Sequence, residues 1–142
     1  MSGRVRDYCR KSGQPVPDSE ANLLRCVTES LALKYRYVLD ELEELTGEAI
    51  ETLHIVGGGV QNELLCQWTA NAIQRKVVAG PVEASSYGNI LVQLIGLREI
   101  SDIVEGRELI AQSVATKTYE PENEEQWETA FELFKEKVFR SG

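Results

Sequence analysis

The sequence has few of the residues that metal centres and disulfide scaffolds require. It contains one histidine, His54, and three cysteines, Cys9, Cys26 and Cys66, none of which are close neighbours. Zinc sites are built from clustered cysteine and histidine ligands, so the spacing predicts no such site. An odd, sparse set of cysteines does not make a disulfide scaffold either. Cys9 and Cys26 flank a loop with glycine and proline, which leaves two alternatives: one bond between them, or three buried or half-buried thiols.

Long apolar runs and an excess of basic residues are also absent. No apolar stretch approaches the ~20 residues of a membrane span, and residues 1–7 contain no apolar signal core. The formal net charge is −8, whereas proteins that bind nucleic acid or anionic membranes usually present a basic face. We therefore expect a cytoplasmic protein with neither partner. Its 142 residues, 42% hydrophobic and 27% charged, are typical of one globular domain.

Hydrophobic periodicity predicts the secondary structure. Residues 1–17 contain glycine and proline breakers and are predicted to be irregular. Apolar residues then recur every three or four positions, which predicts a long helix from residue 18 or 19 to about Thr46, ended by Gly47. Similar patterns predict helices over 62–74, 83–97, 105–113 and 124–140, and short apolar runs predict strands over 53–56 and 76–79.

The alternation of strands and helices predicts an α/β fold with a short parallel sheet and flanking helices. Two strands alone leave both edges of a sheet open, which natural domains normally avoid. We therefore expect the remaining strands upstream of this chain, which would make it a fragment of a larger protein. The open edges also predict self-association.

The turn Gly57-Gly58-Gly59 is the strongest candidate site. It joins a predicted strand to a predicted helix, and glycine lets the backbone approach a ligand where any Cβ would collide. The helix start beyond it offers free N–H groups and a positive dipole end to an anion. Asn62 is predicted to cap this helix, to contact a ligand, or to do both. A tight turn without a ligand is the alternative.

These residues resemble the C-terminal lobe of the FGGY family of carbohydrate kinases. The resemblance covers residues from about Val5 to Tyr119, and it is carried by the stretches Leu53–Gln67, Val77–Ser85 and Gly88–Leu94. Within the family, residues 79–84 and 88–90 are most similar to the rhamnulokinase branch. The resemblance implies a partial actin-like, ribonuclease H-like kinase lobe over residues 18–119, followed by a C-terminal amphipathic helix within residues 120–142.

The resemblance also implies an activity. FGGY kinases use ATP and Mg²⁺ to phosphorylate a sugar between two lobes, and the rhamnulokinase branch converts L-rhamnulose to L-rhamnulose 1-phosphate. It further implies that Gly58 lines the ATP site, with Gly57 and Gly59 beside it and Asn62 near the nucleoside.

In this family the catalytic aspartate and the sugar-binding residues lie upstream, in the N-terminal lobe. We therefore expect this chain to hold no catalytic base and no metal ligand, to bind sugar only with that lobe, and to be inactive alone. A non-catalytic, actin-like nucleotide-binding or assembly module is the alternative.

Overall fold

A computed structural model describes residues 2–139, and the predicted end of the last helix at Arg140 lies outside them. The helices are α1 (Ser2–Lys11), α2 (Glu20–Thr46), α3 (Glu63–Ile73), α4 (Ala84–Gly96), α5 (Ile103–Ser113) and α6 (Glu124–Phe139). The strands are β1 (Thr52–Ile55), β2 (Lys76–Ala79) and β3 (Lys117–Tyr119). The α/β class predicted from the sequence is confirmed.

The predicted irregular segment over residues 1–17 is wrong in its first part, because Ser2–Lys11 form α1. The breakers at positions 13, 15 and 17 lie beyond this helix. Two basic residues, Arg10 and Lys11, occupy its last turn, where they complement the helix dipole. Tyr8 donates a hydrogen bond from its hydroxyl to the Lys137 carbonyl at 3.2 Å, so contact with α6 supports α1. The sequence of α1 is mostly polar, and for that reason the helix was not predicted.

The long helix α2 begins and ends where the sequence predicts. Ser19 is its N-cap, and the hydroxyl oxygen accepts a hydrogen bond from the Asn22 N–H at 3.2 Å. Gly47 takes a left-handed conformation, with φ of 71°, and donates its N–H to the Glu43 carbonyl at 2.8 Å. Only glycine adopts this conformation without strain, which is why the helix stops there.

The sheet is mixed and has the order β1-β2-β3. β1 and β2 are parallel, as predicted, with Leu53 opposite Val77. β3 runs antiparallel to β2 and places Tyr119 on the other side of Val77. The predicted short parallel sheet is confirmed in the β1–β2 pair. The sequence did not predict β3, because a three-residue strand is too short to show an alternating pattern. Within residues 2–139, β1 pairs only with β2, so its other edge is open.

The main core lies between α2, α3 and the sheet. Its buried members are Leu39, Cys66, Ala70, Ile73, Val77, Ala79 and Tyr119. A second cluster, Ala32, Leu33, Ala72 and Phe131, joins α6 to α2 and α3. Within the described part of the chain, no helix is both long and apolar enough to cross a bilayer.

Glu43 connects the end of α2 to the residues that precede β1 and β2. Its two carboxylate oxygens accept hydrogen bonds from Arg75, at 2.8 and 2.9 Å, and one also accepts the Ile50 N–H. The Ile50 N–H and the Arg75 guanidinium hold the pKa of Glu43 below its ordinary value. Because Ile50 precedes β1 and Arg75 precedes β2, this carboxylate fixes the two parallel strands relative to α2.

Candidate functional site

The glycine turn lies at the carboxyl end of β1. Gly57 has φ of 79° and ψ of −165°, a conformation open essentially to glycine alone, and a 3₁₀ turn follows over Gly58–Gln61. Asn62 then caps α3, and its Oδ1 accepts a hydrogen bond from the Leu65 N–H at 3.1 Å. The predicted capping role of Asn62 is confirmed. The turn thus delivers the chain from a strand to the N-terminus of a helix.

Two backbone hydrogen bonds hold this turn against the end of β2. The Gly57 N–H donates to the Pro81 carbonyl at 3.0 Å, and the Gly80 N–H donates to the Ile55 carbonyl at 2.9 Å. The carboxyl ends of both parallel strands therefore meet at one place. In open α/β sheets, ligands bind outside the carboxyl ends of the strands, so the turn occupies the expected position for a ligand.

Residues 2–139 leave the space around the turn empty. A Cβ added at Gly57, Gly58 or Gly59 would meet no atom within 4 Å. Gly57 needs its positive φ, but Gly58 and Gly59 have neither a positive φ nor a close neighbour. Their glycine identity is thus unexplained by packing within the chain. Both are exposed, and their backbone is open to a group that approaches from outside.

A cavity of about 390 Å³ lies beside the turn. Its lining residues come from the start of α3, the loop after β2 and the segment around β3: Val60, Glu63, Ala79, Gly80, Pro81, Val82, Glu83, Tyr87, Val114, Ala115, Thr116, Lys117 and Tyr119. The predicted site residues of the turn adjoin this cavity in sequence but do not line it. The sequence gives no signal for the cavity, because one wall depends on the unpredicted strand β3.

An ion pair joins two walls of this cavity. The Lys117 ammonium lies 2.9 Å from a carboxylate oxygen of Glu63, and both side chains are more than half exposed. The hydrogen bond to Glu63 raises the pKa of Lys117, so the amine is fully charged at neutral pH. A partly exposed cation therefore lies next to the turn.

The four aspartates of the chain have structural partners elsewhere. Asp7 pairs with Arg10 at 2.6 Å, and Asp18 accepts a hydrogen bond from the Asn22 amide at 2.7 Å. Asp40 lies 3.9 Å from Arg36, and Asp102 caps α5 by accepting two backbone N–H groups. None of them lines the cavity beside the turn. Within residues 2–139, no group of three or more His, Cys, Asp or Glu side chains is placed to hold a metal ion.

The three cysteines are free thiols. Cys9 and Cys26 line one cavity between α1, α2 and α6, while Cys66 is buried in the main core. Burial raises the pKa of the Cys26 thiol, and the neighbouring Cys9 thiol raises it further. The fold therefore brings Cys9 and Cys26 to one cavity, and both are free thiols in this structure. A disulfide between them stays a prediction.

Most of the chain is similar in sequence to known proteins. A model of the C-terminal domain of the FGGY family of carbohydrate kinases matches residues 2–97. A rhamnulokinase from Bacteroides thetaiotaomicron is 47% identical over 135 residues, which are 95% of this chain and 28% of that protein. A rhamnulokinase from Klebsiella pneumoniae is 49% identical over 121 residues, 85% of this chain and 25% of its own length.

A third relative agrees with these two. A rhamnulokinase from Pectobacterium atrosepticum is 48% identical over 124 residues, which cover 87% of this chain and 25% of that protein. The chain thus spans about a quarter of the length of the curated relatives it matches. Since the family model covers well over half of the residues, the chain belongs to the FGGY family of carbohydrate kinases.

Proposed function

We propose that this chain is the C-terminal, nucleotide-side portion of a cytoplasmic sugar kinase of the rhamnulokinase type. The complete enzyme would use ATP and Mg²⁺ to convert L-rhamnulose to L-rhamnulose 1-phosphate. The name of the relatives supports the reaction. The observation that carries the proposal is the open turn Gly57–Gly59 at the carboxyl edge of two parallel strands, where the chain offers backbone and no side chains.

In this proposal, each residue of the turn has its own role in binding ATP. Gly57 sets the direction of the chain through its positive φ. Gly58 and Gly59 let the nucleotide approach the backbone, since any side chain there would project into the open space. Asn62 uses Oδ1 to cap α3, and its Nδ2 makes no hydrogen bond within residues 2–139, so it can donate to the nucleoside.

Magnesium fits this chain less well than ATP does. A Mg²⁺ ion is usually held by one or two carboxylates together with phosphate oxygens, and when bound it neutralises charge on the transferred group. The described carboxylates form no metal-binding group, and the four aspartates are engaged elsewhere. In the proposal, the metal ligands, the catalytic base and the sugar contacts therefore come from the N-terminal lobe, and this chain alone is inactive.

A chimera tests the proposal directly. Residues 2–139 would replace the matching C-terminal section of the rhamnulokinase from Bacteroides thetaiotaomicron, which is 47% identical. We expect the purified chimera to phosphorylate L-rhamnulose with ATP, as followed by ADP release, while this chain alone releases none. A folded chimera that phosphorylates no sugar would refute the proposed function.

A further inference from the structure

A second cavity, of about 350 Å³, lies between α2, α3 and α6 and shares no lining residue with the cavity beside the glycine turn. The only two tryptophans of the chain, Trp68 and Trp127, both line it. Their ring centroids are 6.1 Å apart and the rings are tilted by 55°. Both rings are partly buried against the second core cluster, so the cavity has a firm aromatic wall.

Asn71 provides a buried polar group in the same cavity. The residue is 4% exposed, and its Oδ1 accepts hydrogen bonds from the Gln67 amide at 2.9 Å and the Glu122 N–H at 3.0 Å. These two donors fix which end of the amide is oxygen. The Nδ2 group makes no hydrogen bond within the described residues, and it is not one of their fully buried polar atoms, so it is accessible from the cavity. The amide is therefore held in place with unused donors at the cavity.

The charged residues of the cavity neutralise each other. The Arg25 Nε lies 2.7 Å from a carboxylate oxygen of Glu29, and the Arg25 guanidinium lies over the Trp68 ring, 5.9 Å from its centroid. The other guanidinium N–H groups and the second Glu29 oxygen have no partner among residues 2–139. Acidic residues, Glu122 and Glu124, stand on either side of Asn123 in the lining segment, which disfavours an anion. The wall therefore offers donors and acceptors to a neutral ligand.

We propose that this cavity binds a neutral monosaccharide, at a site separate from the sugar site of the proposed kinase reaction. Hydroxyl groups both donate and accept hydrogen bonds, which matches Asn71, Arg25 and Glu29 together. The two indole rings line the cavity and add apolar surface that the C–H groups of a sugar ring can contact. The volume lies at the small end of ligand cavities, about 300–1,000 Å³, as a monosaccharide requires. The proposal does not depend on kinase activity.

Tryptophan fluorescence tests the proposal, because both tryptophans line the cavity and all emission reports on it. The full chain would be titrated with L-rhamnose and with D-fructose, and separately with adenosine. We expect a saturable change with at least one of the sugars and none with adenosine. Two-dimensional NMR should show the same sugar shifting the indole N–H signals of Trp68 and Trp127. No saturable change with either sugar, or saturation by adenosine alone, would overturn the proposal.

Surface variants keep the test independent of folding. Arg25→Gln and Glu29→Gln each remove one charged hydrogen-bonding group from the wall, and we expect sugar affinity to fall about tenfold in each. Arg107→Gln, at an exposed position on α5, is the matched control and should leave affinity unchanged. Circular dichroism would verify that all three variants fold. Equal weakening by Arg107→Gln, or no weakening by the two cavity variants, would contradict the assignment.

Discussion

The core around Val77 and the glycine turn differ in how closely other side chains of the chain pack against them. Val77 and Cys66 are 0% exposed and pack among side chains of α2, α3 and the sheet. Gly58 and Gly59 lie a few residues away and touch nothing that would forbid a side chain. Packing therefore explains the residues of the core, whereas no contact among residues 2–139 explains why positions 58 and 59 are glycine. Substitutions in the two regions should therefore differ in their effect on stability.

Leu39→Ala should give the largest loss of stability. Leu39 is 5% exposed in the main core, and truncation of a buried leucine costs about 2–5 kcal/mol through lost burial and the cavity left behind. Urea unfolding of the variant measures the loss. Leu45→Ala is the matched control on the same helix, because Leu45 is 81% exposed, and it should change stability by less than about 0.5 kcal/mol. Equal losses would contradict the described core.

Gly57→Ala should cost less, about 1–3 kcal/mol, because alanine at φ of 79° and ψ of −165° is strained. Gly58→Ala should leave stability within about 0.5 kcal/mol of wild type, since its Cβ meets nothing. Thermal unfolding followed by circular dichroism compares the two. A larger loss for Gly58→Ala than for Gly57→Ala would show that packing within the chain does account for Gly58.

The Glu43 carboxylate should make stability depend on acid pH. Its pKa is lowered below the ordinary 4.5 by Ile50 N–H and Arg75, so the folded state favours the charged form. That contribution is complete above pH 4.5 and is lost as pH falls from there through the lower pKa of the folded state. Glu43→Gln should therefore be less stable at neutral pH and lose less on acidification.

Glu44→Gln, one residue further along α2 and exposed, is the control for the pH experiment. It should keep the acid dependence of the wild type. Melting temperatures between neutral pH and pH values below the ordinary carboxylate range would provide the comparison. Parallel pH profiles for Glu43→Gln and the wild type would rule out the described role of this carboxylate.

Self-association should be the weakest effect. The open edge of β1 presents unpaired backbone groups, and such an edge can pair with another chain. Light scattering should show an average mass that rises with protein concentration. His54→Lys places a charge on the exposed side chain of β1 and should lower that mass, whereas Gln93→Lys on α4 should not. A clean, well-folded monomer at all concentrations would contradict the prediction.

The parts that followed from the sequence were those with strong local signals. The apolar period of α2, its cap Ser19 and its stop Gly47 made that helix predictable from its own residues. Asn62 was predictable as a cap for the same reason. Helix α1 and strand β3 were missed because contacts distant in sequence stabilise them: Tyr8 with Lys137, and Val77 with Tyr119.

The candidate site was only half predictable. The glycine turn was evident, because three consecutive glycines between a strand and a helix have few structural uses. The cavity beside it was not, since the Lys117–Glu63 pair forms only after β3 has folded against β2. The cavity between α2, α3 and α6 was missed likewise. The two tryptophans are 59 positions apart in the sequence, and each alone resembles a core residue.

The Michaelis constant for ATP of the chimera carrying Gly58→Ala tests the central claim most directly. If the nucleotide approaches the backbone at this turn, the added methyl group should raise KM for ATP at least about tenfold, the equivalent of 1.4 kcal/mol of binding. KM for L-rhamnulose should stay the same, and Gly96→Ala, another exposed glycine without a close neighbour, should change neither constant. An unchanged KM for ATP in the folded Gly58→Ala chimera would contradict the assignment of the turn to ATP.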